Sequence, residues 1–327
     1  GDDPFTAHAK PFAPKSIEAV KGHFWRYLSA LHYQGVDLTS HNSLAVLVTR
    51  EMFTLGIRWF WERNGKEGSK HIGEIAWTVR CYAVKHLTPD DETIAFYSDA
   101  IKRLRIGQQG LSQKNQAAMA QFDDPKVVES FVSLPPHLWD KAEAMSKSAG
   151  SERITKKAQL LVQAAIAIEI LMFAPMRIAN LQGLRLDEHI AWQDGRMRIN
   201  IPREQVKNDQ ALDFLLPTSV SKRIRLYVER WRGHFTSGHT PYLFPGRNGK
   251  PKDSTTLRRQ IENTLWKEAG IRLTPHQFRH AAAKILLDAK PGHYEVVRKV
   301  LGHKSLTTTY SHYAGAETQA AIRLYDD

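Results

Sequence analysis

The apolar run AQLLVQAAIAIEILMFAPM, residues 158–176, is the longest in the chain and restricts its fold more than any other segment. It contains Gln159, Gln163 and Glu169 and reaches Pro175 near its end. Polar side chains at these positions, followed by a proline, suit a buried core helix better than a membrane span. We therefore expect a core helix against which other elements pack, and no membrane partner.

Residues 15–120 show helical periodicity, with apolar side chains three and four positions apart. The pattern predicts a small helical bundle. Three segments carry it: SIEAVKGHFWRYLSALHYQ, SLAVLVTREMFTLGIRWFWERN and DETIAFYSDAIKRLRIG. The aromatic side chains here are expected in the core of the bundle rather than on a surface that stacks bases: Phe24, Trp25, Trp59, Phe60 and Trp61.

The segment GQQGLSQKNQAAMAQFDDPK, residues 107–126, is rich in glycine, glutamine and small polar residues, which is typical of a connection between domains. The 327 residues are enough for two domains, since single domains usually contain ~100–200 residues. We therefore expect a helical domain over residues 1–124 and a second domain over residues 125–327.

The second domain changes from helical to strand-like periodicity after the apolar helix. GRMRINIP (195–202) and ALDFLLP (211–217) are separated by a segment that contains the turn residues Asn208 and Asp209. This predicts a β hairpin with Lys207 near its tip. Because helical patterns resume after the hairpin, the expected fold class is mainly α with a small β hairpin or sheet (α+β).

The charge of the chain is strongly basic, with a formal net charge of +12 and a pI of about 9.7. Residues 1–125 hold 15 Lys and Arg against 14 Asp and Glu, and the remainder holds 31 against 20. The excess charge of the second part favours a polyanionic partner, nucleic acid before membrane. The alternative is a surface that is merely basic.

The single cysteine, Cys81, excludes an internal disulfide and favours a reducing compartment. The first residues, GDDPFTAHAKPFAPKS, lack the apolar segment of a signal peptide. These features together predict a cytoplasmic protein.

Four short segments carry side chains that could bind or attack a phosphate: APMRIANLQGLRLD (174–187), TPHQFRH (274–280), LGHKS (301–305) and SHYAG (311–315). In the second of these segments, Thr274 and Pro275 are suited to begin a helix. In this order, with a lysine-bearing hairpin between the first two, the segments resemble the catalytic boxes of the tyrosine recombinase (phage integrase) family. The resemblance spans roughly residues 135–315.

The resemblance implies an N-terminal helical core-binding domain and a C-terminal tyrosine-recombinase catalytic domain that close around a DNA duplex. It implies a catalytic site of six residues: Arg177, Lys207, His276, Arg279, His303 and Tyr313. Two arginines suit this chemistry, because guanidinium groups bind the nonbridging oxygens of a phosphodiester bidentately and keep their proton.

The other roles follow from the proton transfers that attack by a phenol requires. An ordinary tyrosine has a pKa of ~10, so its activation at neutral pH must offset ~4 kcal/mol. His276 is the candidate base, Lys207 the candidate acid for the departing 5′ oxygen, and His303 a hydrogen-bond donor to a phosphate oxygen. The product is a 3′-phosphotyrosyl bond that another 5′ hydroxyl can reverse.

Two tyrosines compete for the role of nucleophile. Tyr310 lies seven residues after His303 and Tyr313 lies ten residues after it, and the family usually has nine or ten. We therefore expect Tyr313 to attack and Tyr310 to be a packing neighbour. The family often has an acidic residue three positions after the first arginine, where this chain has Asn180, so we expect Asn180 to brace Arg177 instead.

No metal or other cofactor is expected. His276 and His280 have the spacing of two zinc ligands on a helix, but the glutamate of the HExxH motif and a cysteine pair are both missing. The transesterification itself needs neither metal nor nucleotide, because the phosphotyrosyl bond conserves the energy of the bond that is cut.

Further basic residues are candidates for contact with the DNA backbone, which confers affinity rather than sequence preference. They are Lys102, Arg103, Arg105, Lys114, Arg247, Lys250 and Lys252. In KRIRLYVERWRG (222–233), the arginines fit a solvated helix face as well as they fit phosphate contacts.

The expected function is site-specific recombination of double-stranded DNA, as in an integrase of a mobile genetic element. The expected assembly is a homotetramer on paired sites, with accessory DNA-bending proteins possible, in the nucleoid of a bacterial cytoplasm. Two alternatives stay open: a type IB topoisomerase-like or hairpin-forming strand transferase, and a catalytically silent DNA-binding protein of the same fold.

Overall fold

A computed structural model describes residues 14–105, 110–148, 150–207, 209–302 and 305–313. The chain forms two compact units, Gly1–Gln108 and Gln109–Asp327. Over these residues the fold is mainly helical with one small antiparallel sheet, which confirms the predicted fold class. Among the described residues, no helix is both long and apolar enough to cross a membrane.

The first unit is a bundle of helices whose starts follow from capping side chains. The helices are α1 (Pro14–Tyr33), α2 (Arg50–Arg63), α3 (Lys70–Leu87) and α4 (Asp91–Leu104). Side-chain oxygens of Thr49, Ser69 and Asp90 accept hydrogen bonds from the first turns of α2, α3 and α4. The helical bundle predicted from the periodicity is thus present.

Two buried phenols hold the turn before α2 in place. The Tyr27 hydroxyl donates to the Leu47 carbonyl at 2.7 Å, and the Tyr97 hydroxyl donates to the Val48 carbonyl at 2.6 Å. Trp25 does not join this core, because 68% of its surface is exposed. It shares a helical face with polar residues at positions 21 and 29, so the expected core placement is wrong for this residue.

The second unit is built around the apolar helix that the sequence predicted. Its elements are α5 (Gln113–Ala120), α6 (Pro125–Lys147), α7 (Glu152–Phe173), α8 (Ile178–Gln182), α9 (Thr218–Leu226), α10 (Ser254–Ala269), α11 (Phe278–Ala289), α12 (Tyr294–Leu301) and α13 (Leu306–Tyr313). Helix α7 is buried from Leu161 to Leu171. Its packing against α6 and α10 confirms the core helix.

The polar residues inside α7 have partners, which explains why burial is tolerated. Glu169 is 2% exposed and accepts hydrogen bonds from the Arg223 guanidinium, with Nε at 3.1 Å from both carboxylate oxygens. The Gln163 amide donates to the Tyr227 hydroxyl at 3.3 Å, and its oxygen accepts from Lys252 Nζ. Each polar group buried in the helix is satisfied by an element packed against it.

The sheet has three strands, one more than the predicted hairpin. They are β1 (Ile190–Gln193), β2 (Arg196–Ile201) and β3 (Leu212–Leu215), in the antiparallel order β1-β2-β3. Asp194 and Gly195 connect β1 to β2 with φ angles of 49° and 73°, the left-handed pair that a tight hairpin turn requires. Strand β1 escaped prediction because it is short and lies outside the alternating pattern.

The division between the units falls before α5, whereas the sequence placed the boundary at 124/125. Met119 and Phe122 belong to the core of the second unit. Gln121 exchanges two hydrogen bonds with the backbone of Arg272, at 3.1 and 3.2 Å. These long-range contacts fix a segment whose composition is that of a connection.

Candidate active site

The site begins at the turn that leads into α11. Pro275–Gln277 form this turn and the helix starts at Phe278, so the predicted helix start at Thr274 lies one turn too early. The backbone N–H of Gln277 donates to the Thr274 carbonyl at 2.8 Å and closes the turn. His276 therefore precedes the helix and is exposed, while Arg279 projects from its first turn into the protein.

Arg279 is 6% exposed and joins three parts of the chain. Its Nη1 donates to the carbonyl of Pro175 at 2.6 Å, and its Nη2 donates to the carbonyl of Leu301. Burial and the charge of Arg177 lower the pKa of Arg279 to about 10, so the guanidinium remains charged at neutral pH. A fixed cation thus lies where three of the four predicted boxes meet.

Arg177 is half-buried and immediately precedes α8. Its charge contributes to lowering the pKa of both Arg279 and His276, which places the three cations or potential cations around one point. Part of the His276 side chain is exposed, but partial desolvation is the largest cause of its lowered pKa, and Arg279 adds to it, so the neutral imidazole is favoured. A neutral imidazole can accept a proton.

The expected brace from Asn180 stays a prediction. Its amide nitrogen Nδ2 is buried and has no hydrogen-bond partner among the described residues. Because a guanidinium is also a donor, Asn180 can brace Arg177 only through its amide oxygen.

Tyr313 lies at the end of α13 and is 2% exposed, packed among Leu287, Val297 and Leu301. Its hydroxyl oxygen lies 2.7 Å from Nδ1 of His280. Burial raises the pKa of Tyr313, and the positive charge of Arg279 acts in the opposite direction. The phenol therefore lies within the electrostatic reach of the buried arginine.

Tyr310 has a different environment. Its ring stacks on Tyr294 with 4.2 Å between ring centres, and 47% of its surface is exposed. This is the packing neighbour that the sequence predicted, while Tyr313 lies beside the clustered basic residues.

The other two predicted site residues are Lys207 and His303. Lys207 is exposed in the connection between β2 and β3, next to the buried Val206. His303 lies outside the described residues; the chain before it ends α12 with Gly302 in the left-handed conformation, at φ 60°. Of the six predicted catalytic residues, the structure therefore brings together Arg177, His276, Arg279 and Tyr313.

Sequence reasoning missed the part played by His280 and Asn115. His280 was weighed only as a zinc ligand, yet it is buried against the Tyr313 hydroxyl. The Asn115 amide approaches the other ring nitrogen of His280 at 3.3 Å. His280 directly follows Arg279 in the sequence, and this position could have indicated a place in the site. Asn115 lies in a segment whose composition is typical of a connection between domains.

Most of the basic residues predicted to contact DNA have exposed side chains. Lys252 differs, because its nitrogen donates to the amide oxygens of Gln163 and Gln260. Burial lowers the pKa of Lys252 to about 8. Its described contacts are structural. The exposed candidates are Lys102, Arg103, Arg105, Lys114, Arg247 and Lys250.

Three of the four arginines in residues 222–233 have contacts within the protein. Arg223 pairs with Glu169, Arg225 lies 4.3 Å over the Trp192 ring, and Arg232 donates to the Tyr242 carbonyl at 2.9 Å. These contacts support neither a wholly solvated face nor a row of phosphate contacts.

Side chains that could hold a metal lie in the first unit. Potential ligand atoms of His23, His71 and Glu74 are within 4.8 Å of one another. In the second unit, the rings of His276 and His280 are 5.5 Å apart and perpendicular. The contact of His280 Nδ1 with Tyr313 argues against a zinc site shared by these two histidines.

Comparison with known proteins identifies the family. Residues 147–320 match the model of the phage integrase family. The chain belongs to the phage integrase family. The resemblance seen in the four boxes is thereby confirmed, since all four boxes lie within the matched residues.

The chain is similar to tyrosine recombinases of other organisms. Tyrosine recombinase XerA of Pyrococcus furiosus is 24% identical over 51% of this chain and 57% of its own length. Tyrosine recombinase XerC of Pseudomonas aeruginosa is 28% identical over 49% of each chain. The chain thus spans about half the length of the curated relatives it matches.

Two solved structures of DNA-bound proteins share the fold. XerH site-specific recombinase bound to palindromic difH substrate, in a post-cleavage complex, has a TM-score of 0.56 at 17% identity, over 84% of this chain and 72% of that one. A lambda integrase dimer bound to a COC′ core site has a TM-score of 0.54 at 13% identity, over 94% and 92%. At these identities the likeness concerns the fold.

Proposed function

We propose that this protein is a site-specific DNA recombinase that cuts and rejoins strands through a covalent bond between Tyr313 and a 3′ phosphate. The observation that carries the proposal is the meeting of Arg177, His276, Arg279 and Tyr313 at one place in the second unit. These side chains supply the cations, the proton acceptor and the nucleophile that phosphodiester cleavage requires.

In the first step the Tyr313 oxygen attacks phosphorus and its proton passes to His276. The guanidiniums of Arg177 and Arg279 bind the nonbridging oxygens, which gain negative charge as the reaction proceeds. The bond from phosphorus to the 5′ oxygen breaks with its electron pair on oxygen. Lys207 gives that oxygen a proton, and His303 donates a hydrogen bond to the phosphate.

The exposed position of Lys207 on the β2–β3 connection supports its role as a mobile acid. A connection at the end of a small sheet can reach a bound duplex without rearrangement of the core. In the reverse step a 5′ hydroxyl of another strand attacks the phosphotyrosyl bond, and the same groups act in the opposite direction.

Double-stranded DNA is the proposed partner. The proposal is supported by the positive charge of the chain beyond residue 125 and by the DNA-bound state of the XerH and lambda integrase structures. The helical first unit acts as the DNA-binding domain proposed for residues 1–124. Recombination joins two sites, so the proposed assembly is a tetramer, with accessory bending proteins where the site needs them.

A suicide substrate, nicked so that the cleaved strand diffuses away, tests the chemistry. Wild-type protein gives an adduct that survives denaturing electrophoresis, Tyr313→Phe gives none, and Tyr310→Phe still forms it. An adduct that persists in Tyr313→Phe would overturn the assignment of the nucleophile. Absence of any adduct on the DNA site that the protein recombines, once that site has been mapped, would overturn the proposed function itself.

A further inference from the structure

A chain of side-chain hydrogen bonds leads from the start of the α11 turn to the proposed nucleophile. The backbone N–H of Thr274 donates to Gln277 Oε1 at 2.9 Å, and Gln277 Nε2 donates to Asn115 Oδ1 at 3.1 Å. Asn115 Nδ2 lies 3.3 Å from His280 Nε2, and His280 Nδ1 lies 2.7 Å from the Tyr313 hydroxyl. Gln277, His280 and Tyr313 are all buried.

The direction of donation along this chain is fixed at its first member. A backbone N–H can only donate, so the atom of Gln277 that faces Thr274 is the amide oxygen. The amide nitrogen of Gln277 then faces Asn115, whose own oxygen must accept. It follows that the Asn115 nitrogen points at His280 and donates to it.

The hydrogen bond from Asn115 fixes the tautomer of the His280 imidazole. Its Nε2 accepts from Asn115 and therefore carries a lone pair, so the proton of the neutral ring is on Nδ1. That proton points at the Tyr313 oxygen, which lies at the short end of hydrogen-bond distances. The imidazole next to the nucleophile is thus a donor, and it has no free lone pair with which to take the phenolic proton.

We infer that His280 is a catalytic hydrogen-bond donor to the Tyr313 oxygen, and that Asn115 and Gln277 are positioning residues that hold its Nδ1–H tautomer. The donor stabilises the oxygen as it loses its proton to His276 and begins to bond to phosphorus. His280 keeps its own proton throughout. The inference rests on the proposed function, since it assigns a role within the same reaction.

Burial is the reason that such a donor is needed. A phenolate is poorly solvated inside a protein, and burial raises the pKa of Tyr313 accordingly. Arg279 opposes this with its charge, and a hydrogen bond to the ionised oxygen adds to that effect. A donor bonded to an ion contributes more than a donor bonded to a neutral group.

The groups that face His280 and Tyr313 set the background for a pH measurement. The ring of His276 lies 5.5 Å from the ring of His280, the charge of Arg279 reaches Tyr313, and Asn115 on α5 is uncharged. One turn further along α11, Lys284 is paired with Asp123 at 2.6 Å and Asp288 at 3.0 Å. His280 variants leave all these groups in place.

The test compares single-turnover rates of adduct formation on a suicide substrate across pH 6 to 9. His280→Leu removes the donor, and we expect the rate at pH 7 to fall about tenfold to hundredfold, as for loss of a hydrogen bond to an ion. The rate should recover partly as pH rises, because hydroxide offsets the raised pKa of the nucleophile. Wild-type adduct formation, measured first, separates failure of this inference from failure of the proposed function.

His280→Asn is the conservative variant that decides between donor and base. The amide nitrogen of asparagine occupies the position of Nδ1 and can donate, but it cannot act as a base at any of these pH values. We expect it to restore most of the rate lost in His280→Leu. Equal loss in both variants would overturn the donor role and make His280 a base; a wild-type rate in His280→Leu would overturn any role.

Asn115 offers a second comparison that does not alter His280. Asn115→Leu leaves the tautomer unfixed and should slow adduct formation, whereas Asn115→Asp accepts from Nε2 of a doubly protonated ring and should preserve donation from Nδ1. Similar loss in both variants would contradict the tautomer argument. Thermal unfolding and duplex binding of each variant, compared with Gln116→Leu at an exposed position of the same helix α5, control for loss of structure.

Discussion

The two units differ in what their cores contain. In the described part of the first unit, Thr78 is the buried polar side chain, and the rest of the core is aliphatic and aromatic. The second unit buries a carboxylate, an arginine, two histidines and a lysine: Glu169, Arg279, His189, His280 and Lys284. Burial of such groups costs free energy, which only good partners offset. The first core therefore contributes mainly to stability. The second core gives up part of its stability in order to hold polar and charged groups in fixed positions.

The largest effect should follow removal of the buried arginine. Arg279→Ala should reduce adduct formation by at least about 10³-fold, because it removes a preorganised cation from the phosphate site. It also leaves the carbonyls of Pro175 and Leu301 without their donor, so thermal stability should fall as well. Single-turnover cleavage is the measurement.

Arg272→Ala is the matched control for this variant. Arg272 is exposed and lies 4.3 Å over the Trp266 ring in the same unit. Its loss should leave cleavage within about threefold of wild type, as expected for a surface contact. A similar loss in both variants would show that net charge, and not the position of Arg279, determines the rate.

The buried ion pair of α7 should give the next largest effect, on stability. Glu169→Ala leaves the Arg223 guanidinium without its partner in a largely buried position, at a cost of about 3–5 kcal/mol in the free energy of unfolding. Glu262→Ala, which removes the more exposed pair with Arg258, should cost about 1 kcal/mol or less. Urea denaturation compares the two, and equal costs would contradict the role assigned to burial.

Lys252 sharpens the comparison further, because its effect should depend on pH. Lys252→Met removes the donor shared by Gln163 and Gln260 and should cost about 1–3 kcal/mol at pH 7, while duplex affinity changes little. The folded pKa of about 8 lies below the ordinary value of 10.5. Between these pH values the unfolded chain binds a proton that the folded chain does not, so this lysine adds stability as pH rises.

The measurement is urea denaturation of wild type and Lys252→Met at pH 7.5 and pH 9.5. The difference between them should grow in favour of the wild type at the higher pH. A difference that stays the same would mean that the lysine keeps its proton in the folded state. Lys250→Met, which changes an exposed lysine two residues earlier, controls for the change in net charge.

The smallest effect belongs to the first unit. Tyr97→Phe removes one hydrogen bond to the Val48 carbonyl and should cost about 1 kcal/mol, with no change in cleavage on tight-binding substrates. Tyr82→Phe, in the same unit but half-buried, is the control. A cleavage defect in Tyr97→Phe at saturating DNA would show that the first core has a part in the chemistry.

The sequence predicted those features that depend on local pattern. The continuous apolar run of α7 and the alternation in β2 and β3 are visible in any short window. The catalytic roles of Arg177, His276, Arg279 and Tyr313, which the structure brings together, stay a prediction. The structure puts α5 with the second unit because Met119 and Phe122 contact residues far away in the chain. No local pattern contains that information.

Long-range partners also decided the roles that the sequence misjudged. Lys252 looked like a solvent-exposed lysine in a turn-rich loop, but Gln163, 89 positions earlier, gives it a buried acceptor. His280 resembled half of a metal site, and its partner Asn115 lies 165 positions away. The chemical character of a polar side chain depends on partners that only the folded chain brings near.

Arg279 donates to one carbonyl ahead of α8 and to another at the end of α12, so a single side chain reports on how completely the second unit has assembled. A nascent chain that lacks α12 lacks one of these two acceptors. The contacts that orient the Arg279 guanidinium are therefore complete only once α12 has folded onto α11.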